Sequence, residues 1–470
     1  MPDTIYDVAI IGSGPAGYTA AIRAGQYGLK AALIEKDPYL GGTCLHVGCI
    51  PTKALLFNAE LWDHLKDAKE YGIEGVASRK LNWEAVQERK SKIVNKHAKG
   101  LEFLMRKNKV ETIKGLGRLT GRAQNGVHTI EVKGEKATQL EAKNIILATG
   151  SEARMIPGLE PNDRVLTNIE ILRLGSVPKS LVVVGAGAVG VEFASIFRSF
   201  DCEVNIIEML PRMVPLEDED VSKELARVFR KRGINFQGSA KVEKVEKTKS
   251  GIAVTFTADG KPQKIEAEKI LIAIGRKPNT DGIGVEKMRV QSERGFIKTN
   301  EWMQTGEPGI YAIGDIVLGT PQLAHVGGME GIVAVSKIAG KPDKPINPLR
   351  IPNVTFCHPE IGSVGLTEAR AREQGYDVKV GKFPFTANSR ASIVGEHEGF
   401  IKIVSDAEYG EILGVHIIGP QATELIAEAV TAMELEATVE DLMWTIHAHP
   451  TLAEAMLDAS NSVYGMAINA

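Results

Sequence analysis

Two stretches of the chain repeat one another at a fixed offset. VAIIGSGPAGYTAAIRAGQYGLKAALIEKD begins at Val8, and LVVVGAGAVGVEFASIFRSFDCEVNIIEML begins at Leu181. Each reads as an apolar strand, a glycine-rich turn, a helical stretch and a second apolar strand that ends in an acid. Gly12, Gly14 and Gly17 match Gly185, Gly187 and Gly190, and Glu35 matches Glu208, every pair 173 residues apart. A strand–turn–helix–strand unit used twice predicts an α/β fold with two Rossmann-like domains.

The motif's residues have separate physical duties. The first glycine permits the tight turn, the second lets a pyrophosphate approach the backbone, and the third lets helix and strand pack closely. The helix N-terminus then offers free N–H groups and a positive dipole end to the phosphates. The acid, 18 residues past the last glycine in both copies, accepts hydrogen bonds from ribose hydroxyls. One copy could be an ordinary α/β turn; two with the same spacing predict two bound dinucleotides. A carboxylate at Glu208 suits a free 2′-hydroxyl and repels a 2′-phosphate, so NAD is expected over NADP. Arg212, just beyond it, does not reverse that expectation.

At 470 residues the chain is too long for one ordinary core. Hydrophobic residues at 43% and charged residues at 24% are values of a globular protein. A net charge of −3 and a pI of about 6.4 give no electrostatic reason to expect nucleic acid or an anionic membrane as partner. No run approaches the ~18 uncharged apolar residues of a membrane span. The opening MPDTIYDVAIIGSG lacks the regions of a secretory leader, so a cytoplasmic location is expected.

Four cysteines are present, and two of them, Cys44 and Cys49, lie in GGTCLHVGCIPTKALL. In a cytosolic chain a close pair is more often catalytic than structural. In a regular helix two residues at this spacing would have Cα atoms about 8.6 Å apart, whereas a disulfide needs roughly 4.4–6.8 Å. A bridge therefore requires a break in the helix, which Gly48 and Pro51 could supply, with a helix continuing from Lys53. A thiol at a helix N-terminus has a lowered pKa and is primed for exchange. A metal site would need more ligands than His46 provides, so no metal is expected, and two unrelated buried thiols are the bland alternative. Beside two dinucleotide motifs the redox reading carries most weight.

With these residues in place, the whole chain resembles the pyridine nucleotide-disulfide oxidoreductases. Within that family it is most similar to the members that oxidise dihydrolipoamide, the E3 components of 2-oxo acid dehydrogenase complexes. The resemblance implies an FAD site made from Gly12, Gly14, Gly17, Glu35, Lys53, Gly117, Thr149 and Gly150 of IILATG, Asp315 of IYAIGD, and Ala324. It implies an NAD site made from Gly185, Gly187, Gly190, Glu192, Glu208, Val242 and Gly275. In HAHPTLAEA, from His447, it makes His449 the acid/base toward the substrate dithiol and Glu454 the residue that orients it. Histidine is the natural base for a thiol near neutral pH, and a carboxylate fixes its tautomer.

The implied reaction runs from dihydrolipoamide through Cys44 and Cys49 and FAD to NAD+. His449 would act on the disulfide of the other subunit, so a C2 homodimer is expected. Lys53 would pair with Glu192 near the flavin. The lipoyl group would arrive on an E2 acyltransferase or a glycine cleavage H protein. The chain departs from the family pattern at His46, where asparagine is expected, at Thr52, where serine is common, and at Val326, where many members carry lysine. The main alternative is a glutathione-reductase-like enzyme using NADPH; a role chiefly as an assembly component is a second.

The expected regions are 1–150 for the first FAD segment, 151–280 for the NAD domain, 281–350 for the return to the FAD domain, and 351–470 for an α+β dimerisation domain. Residues 66–109 are charged with helical spacing and predict a helical excursion. KVEKVEKTKS, from Lys241, predicts an edge strand and a turn with solvated charges.

Overall fold

The computed structural model describes residues 5–135, 137–342 and 344–469. The chain divides into two compact units. The first comprises Met1–Ala54, Ala85–Arg154 and Arg276–Ile346, and the second Leu55–Glu84, Met155–Gly275 and Asn347–Ala470.

The first unit is built on a parallel sheet in the order Glu111–Lys114, Ala31–Glu35, Ile5–Ile11, Thr138–Leu147, Ile310–Ala312. Val8, Ala9, Ile10 and Leu33 are fully buried. These unbroken apolar runs are what a strand covered on both faces requires. The early part of Thr138–Leu147 also pairs antiparallel with His128–Lys133, which pairs with Leu116–Leu119. Helix Pro15–Gln26 opens with proline, whose missing N–H costs nothing there. It packs through Ala16 and Ala20 on Gly327 and Gly331 of helix Ala324–Ala339. A Cβ on Gly331 would lie 2.8 Å from the Ala16 carbonyl oxygen, so only glycine permits this approach. Helix Trp83–Lys107, the expected excursion, lays Val94, Ala98 and Leu101 against Leu45.

The second unit repeats the order of the first four strands, Ile234–Gln237, Glu203–Ile207, Ser180–Val184, Lys269–Ile272, while its fifth, Val165–Leu166, precedes the others in the chain. A three-stranded antiparallel sheet follows, and the lysine-rich segment forms its edge strand, Ala240–Lys247, as expected. The C-terminal part forms an antiparallel sheet in the order Asn353–Thr355, Glu360–Gly365, Ile412–Gly419, Phe400–Asp406, Val378–Pro384. Helices Ala422–Glu434 and Glu454–Ser462 cover it over a core that includes Phe383, Phe385, Ile401, Ile417 and Met456. Each such side chain, fully buried, stabilises by about 1.5–3 kcal/mol.

One ionic cluster is sealed inside the second unit. Lys402, 4% exposed, pairs with Asp218 at 2.9 Å, Asp220 at 3.0 Å and Glu368 at 2.9 Å. Burial would raise the Asp218 carboxyl, but Lys402 overrides it and holds the group below the usual carboxylate range. Glu217 next to it is buried with no cation paired to its carboxyl among the described residues, and burial pushes it up to about 7.

Candidate active site

The first glycine turn has its three glycines in three environments. A Cβ on Gly12 would run into the Ala148 carbonyl oxygen, and one on Gly17 into the Gly12 carbonyl oxygen. Around Gly14, at the start of the helix, nothing lies within 4 Å of a Cβ position. The backbone is packed on one side and open where a pyrophosphate must approach. Glu35 closes the turn: its Oε2 accepts from the Ser13 N–H at 2.9 Å and the Ser13 hydroxyl at 2.6 Å, and its Oε1 accepts from the Asp37 N–H at 2.9 Å.

The second turn repeats this at the level of single hydrogen bonds. Gly190 sits against the Gly185 carbonyl oxygen, Gly185 against that of Ala273, and Gly187 is open. Glu208 Oε2 accepts from the Ala186 N–H at 2.7 Å and its Oε1 from the Leu210 N–H at 2.8 Å. Ser13, Glu35 and Asp37 thus correspond to Ala186, Glu208 and Leu210 at the same 173-residue offset. Both acids retain lone pairs for ribose hydroxyls. Arg212 donates to the carbonyls of Pro215 at 3.0 Å and Glu217 at 3.3 Å, which ties it to its own loop.

The remaining residues expected at the cofactor sites are distributed over the two units. In the first, Gly150 follows the fourth strand at φ +69°, and Asn279 fixes the segment by donating to the Gly150 carbonyl at 2.8 Å while Thr149 Oγ1 donates to the Asn279 carbonyl at 2.6 Å. Gly117 lies against Ile11 and Ile34, so it is held by packing. Asp315 accepts from the Ser151 hydroxyl and stands 3.8 Å from Arg276, whose Nε donates to Ser151 Oγ at 2.6 Å. Ala324 begins its helix with no side-chain cap, leaving the terminal N–H groups available. In the second unit, Gly275 mirrors Gly150 with φ +109°. Val242 lies on the edge strand, and Glu192, buried, accepts from the Phe356 N–H at 2.9 Å. Ser13, Ser151, Arg276 and Asn279 were not singled out from the sequence. Arg276 and Asn279 stand in LIAIGRKPN, read there as the strand leaving the second site, yet they brace the first.

Cys44 and Cys49 form a disulfide with Cα atoms 4.6 Å apart. The helix break falls at Gly48, between helix Gly42–Val47 and helix Cys49–Lys66. The second helix therefore starts at Cys49 itself, four residues before the expected Lys53, because Gly48 alone makes the bend. A Cβ there would sit 2.9 Å from the Thr43 carbonyl oxygen and 3.2 Å from Cys44 Cα. The Gly48 carbonyl then accepts from the Thr52 N–H at 3.1 Å and the Thr52 hydroxyl at 2.6 Å. His46 is anchored by Nε2 to the Leu40 carbonyl at 2.8 Å. Lys53 lies one turn past Cys49.

His449 and Glu454 are brought together in the second unit, with Nδ1 to Oε1 at 2.9 Å. The imidazole is 72% exposed, and this contact fixes Nδ1, leaving Nε2 to exchange a proton. Burial pushes the Glu454 carboxyl up, but the Thr451 N–H and His449 hold it below its usual range. A second pair, His447 with Glu428 at 2.7 Å, stands beside it, and that hydrogen bond raises the His447 pKa. Trp444 and Ile446, 85% and 97% exposed, flank the segment.

Residues 6–331 match the family described as "Pyridine nucleotide-disulphide oxidoreductase", and residues 351–460 match that family's dimerisation domain. The chain belongs to the pyridine nucleotide-disulphide oxidoreductase family. Its cofactors are FAD and NAD, and the two open glycine turns with their acids fit two dinucleotides. It is 45% identical to a dihydrolipoyl dehydrogenase of Bacillus subtilis, covering 99% of each chain, and 44% identical to one of Rhizobium etli with the same coverage. Among solved structures it is similar to LpdA from Mycobacterium tuberculosis, at 27% identity and a TM-score of 0.90 over 97% of this chain and 98% of that one. An HOCl-induced flavoprotein disulfide reductase, RclA from Escherichia coli, matches at 26% identity with a TM-score of 0.85, over 97% of this chain and 99% of that one.

Proposed function

We propose that the chain is a dihydrolipoyl dehydrogenase that oxidises dihydrolipoyl groups and forms NADH. The observation that carries this reading is the full-length relatedness to curated dihydrolipoyl dehydrogenases at 44–45% identity. The disulfide and the His449–Glu454 pair are the chemistry it needs.

His449 Nε2 takes a proton from one substrate thiol, and Glu454 stabilises the cation that results. The thiolate attacks Cys44 Sγ, the Cys44–Cys49 bond breaks, and Cys49 leaves as a thiolate at the N-terminus of its helix. The second substrate thiol displaces Cys44 and closes the lipoamide ring, its proton passing to the leaving Cys44 sulfur while the first stays on His449. The substrate has lost two electrons and the cysteine pair has gained them. FAD and NAD+ supply the remaining redox chemistry, carrying that pair on to NADH. Lys53, one turn beyond Cys49, adds positive charge to this end of the helix. Glu208 selects NAD+.

The enzyme works as a homodimer in which His449 serves the opposite subunit, and the exposed Trp444 and Ile446 suit burial against a second copy. Its substrate arm comes from an E2 acyltransferase or a glycine cleavage H protein, in the cytoplasm. No helix among the described residues is long and apolar enough to cross a membrane.

The test is NADH formation from dihydrolipoamide with NAD+ against NADP+, run beside reduction of glutathione disulfide by NADPH. Strong NAD+-dependent turnover and no glutathione reduction is the expected result; the opposite pattern rejects the reading.

A further inference from the structure

Helix Ala324–Ala339 turns small or apolar residues inward (Val326, Gly327, Gly331, Ala334, Val335), with one charged exception. Glu330 is 0% exposed. Its Oε2 accepts the Gly314 N–H at 2.5 Å, and the buried Thr320 hydroxyl lies against the same carboxyl. No cation pairs with it among the described residues, and the charged group that bears on it is Asp315. Arg276 stands on Asp315 rather than on Glu330. Helix Pro15–Gln26, packed against this spot, offers Ala16 and Ala20.

The contact falls at a constrained place. Gly314 has φ +71°, and a Cβ on it would lie 3.1 Å from the Ala16 side chain. The turn is confined between two helices, and its N–H has only Glu330 to bond. The next residue is Asp315, already held by Ser151 and Arg276. Glu330 is buried beside the Asp315 carboxylate and has no cation of its own among the described residues, so ionising it is costly. Burial, aided by Asp315 and opposed by the Gly314 N–H and the Thr320 hydroxyl, pushes the Glu330 carboxyl up to about 7.

We propose that Glu330 is a positioning residue for FAD that works as a neutral acid: its acceptor oxygen sets the Gly314–Asp315 turn, and its proton keeps a second negative charge away from Asp315. This rests on the assignment of Asp315 to the FAD site. The role is indirect, through the backbone, and nothing requires Glu330 to touch the cofactor.

The test compares apoprotein reconstituted with FAD for the wild type, Glu330→Gln and Glu330→Ala, with binding read by flavin fluorescence and folding by circular dichroism. Glutamine retains an acceptor and carries no charge, so E330Q binds FAD within about twofold of the wild type. Alanine orphans the Gly314 N–H, and FAD affinity falls by roughly tenfold or more. Between about pH 6 and 8 the wild type loses FAD affinity as Glu330 ionises, and E330Q does not. Unchanged affinity in E330A overturns the positioning role. E330Q as weak as E330A overturns the neutral-acid role, and so does a wild-type affinity flat across that pH range, a measurement that needs no variant. A wild-type chain that takes up no FAD at all overturns the underlying reading, and the inference falls with it.

Discussion

At the scale of single residues, the proton partner and the charge behind it separate cleanly. In the proposed reaction His449 carries the exchangeable proton, while Glu454 fixes the ring and stabilises its cation through the 2.9 Å contact, from the start of a helix that begins at Glu454. His449→Ala is expected to lower dihydrolipoamide oxidation by about 10²–10⁴-fold, the usual worth of a general base. Glu454→Gln keeps a hydrogen-bond acceptor and should lose less, roughly tenfold, since the base itself survives. Steady-state kinetics on both variants, with FAD content measured, checks the order; a larger loss in E454Q reverses the roles. The sequence made both residues legible because they sit five apart in one segment. It left Glu330 and Arg276 unread because their partners lie 16 and 125 residues away, and no local pattern marks such a pairing.

At the scale of elements, the two glycine turns show how far local chemistry can be read. Strand, turn, helix and acid recur because each is fixed by neighbours within about 30 residues. The bonds that Glu35 and Glu208 accept from the turn and from the residue two positions on add something the spacing did not reveal: each acid holds its own turn. Glu208→Ala should therefore weaken NAD+ binding without creating an NADP+ enzyme, because the Ala186 and Leu210 N–H groups lose their acceptor. Each lost bond costs about 1–3 kcal/mol where the donor is buried. The measurement is kcat/KM for both nucleotides, and a net gain with NADP+ contradicts the structural part of the role. The helix break was anticipated, but its position was not: a helix start at Lys53 ignores that Gly48 bends alone while Pro51 is tolerated in a first turn. Gly48→Ala puts a Cβ against Thr43 and Cys44. Thiol titration of the denatured, oxidised protein should give two free thiols in the wild type, from Cys202 and Cys357, and a count approaching four in G48A.

At the scale of the whole molecule, stability is tied to pH through buried acids that lack cations. Glu217 has its carboxyl pushed up to about 7 by burial. A raised acid contributes stability that is present in full below its unfolded value, near 4.5, and lost as pH rises through about 7. The carboxylates around Lys402 run the other way: held low, they contribute above their unfolded values and lose that contribution only in acid. Glu217→Gln should therefore flatten the fall in Tm between about pH 4.5 and 7.5, and at pH 8 it should be the more stable protein by a few kcal/mol, in proportion to the shift. Thermal melts across that range decide it; a wild-type Tm that does not fall on raising the pH refutes the assignment. None of this was legible beforehand. Asp218 and Lys402 are 184 residues apart, and a charge in a charged stretch gives no sign that the fold will close over it.

The break at Gly48 has a mechanical consequence. Each sulfur rides on its own short helix, and the backbone bonds of those helices, such as Thr52 N–H to the Gly48 carbonyl, do not depend on the bridge between them. When the bridge opens, both helices stay wound and remain joined through Gly48 alone. Reduction therefore takes away a cross-link and no secondary structure, so the bridge can close again without rewinding either helix.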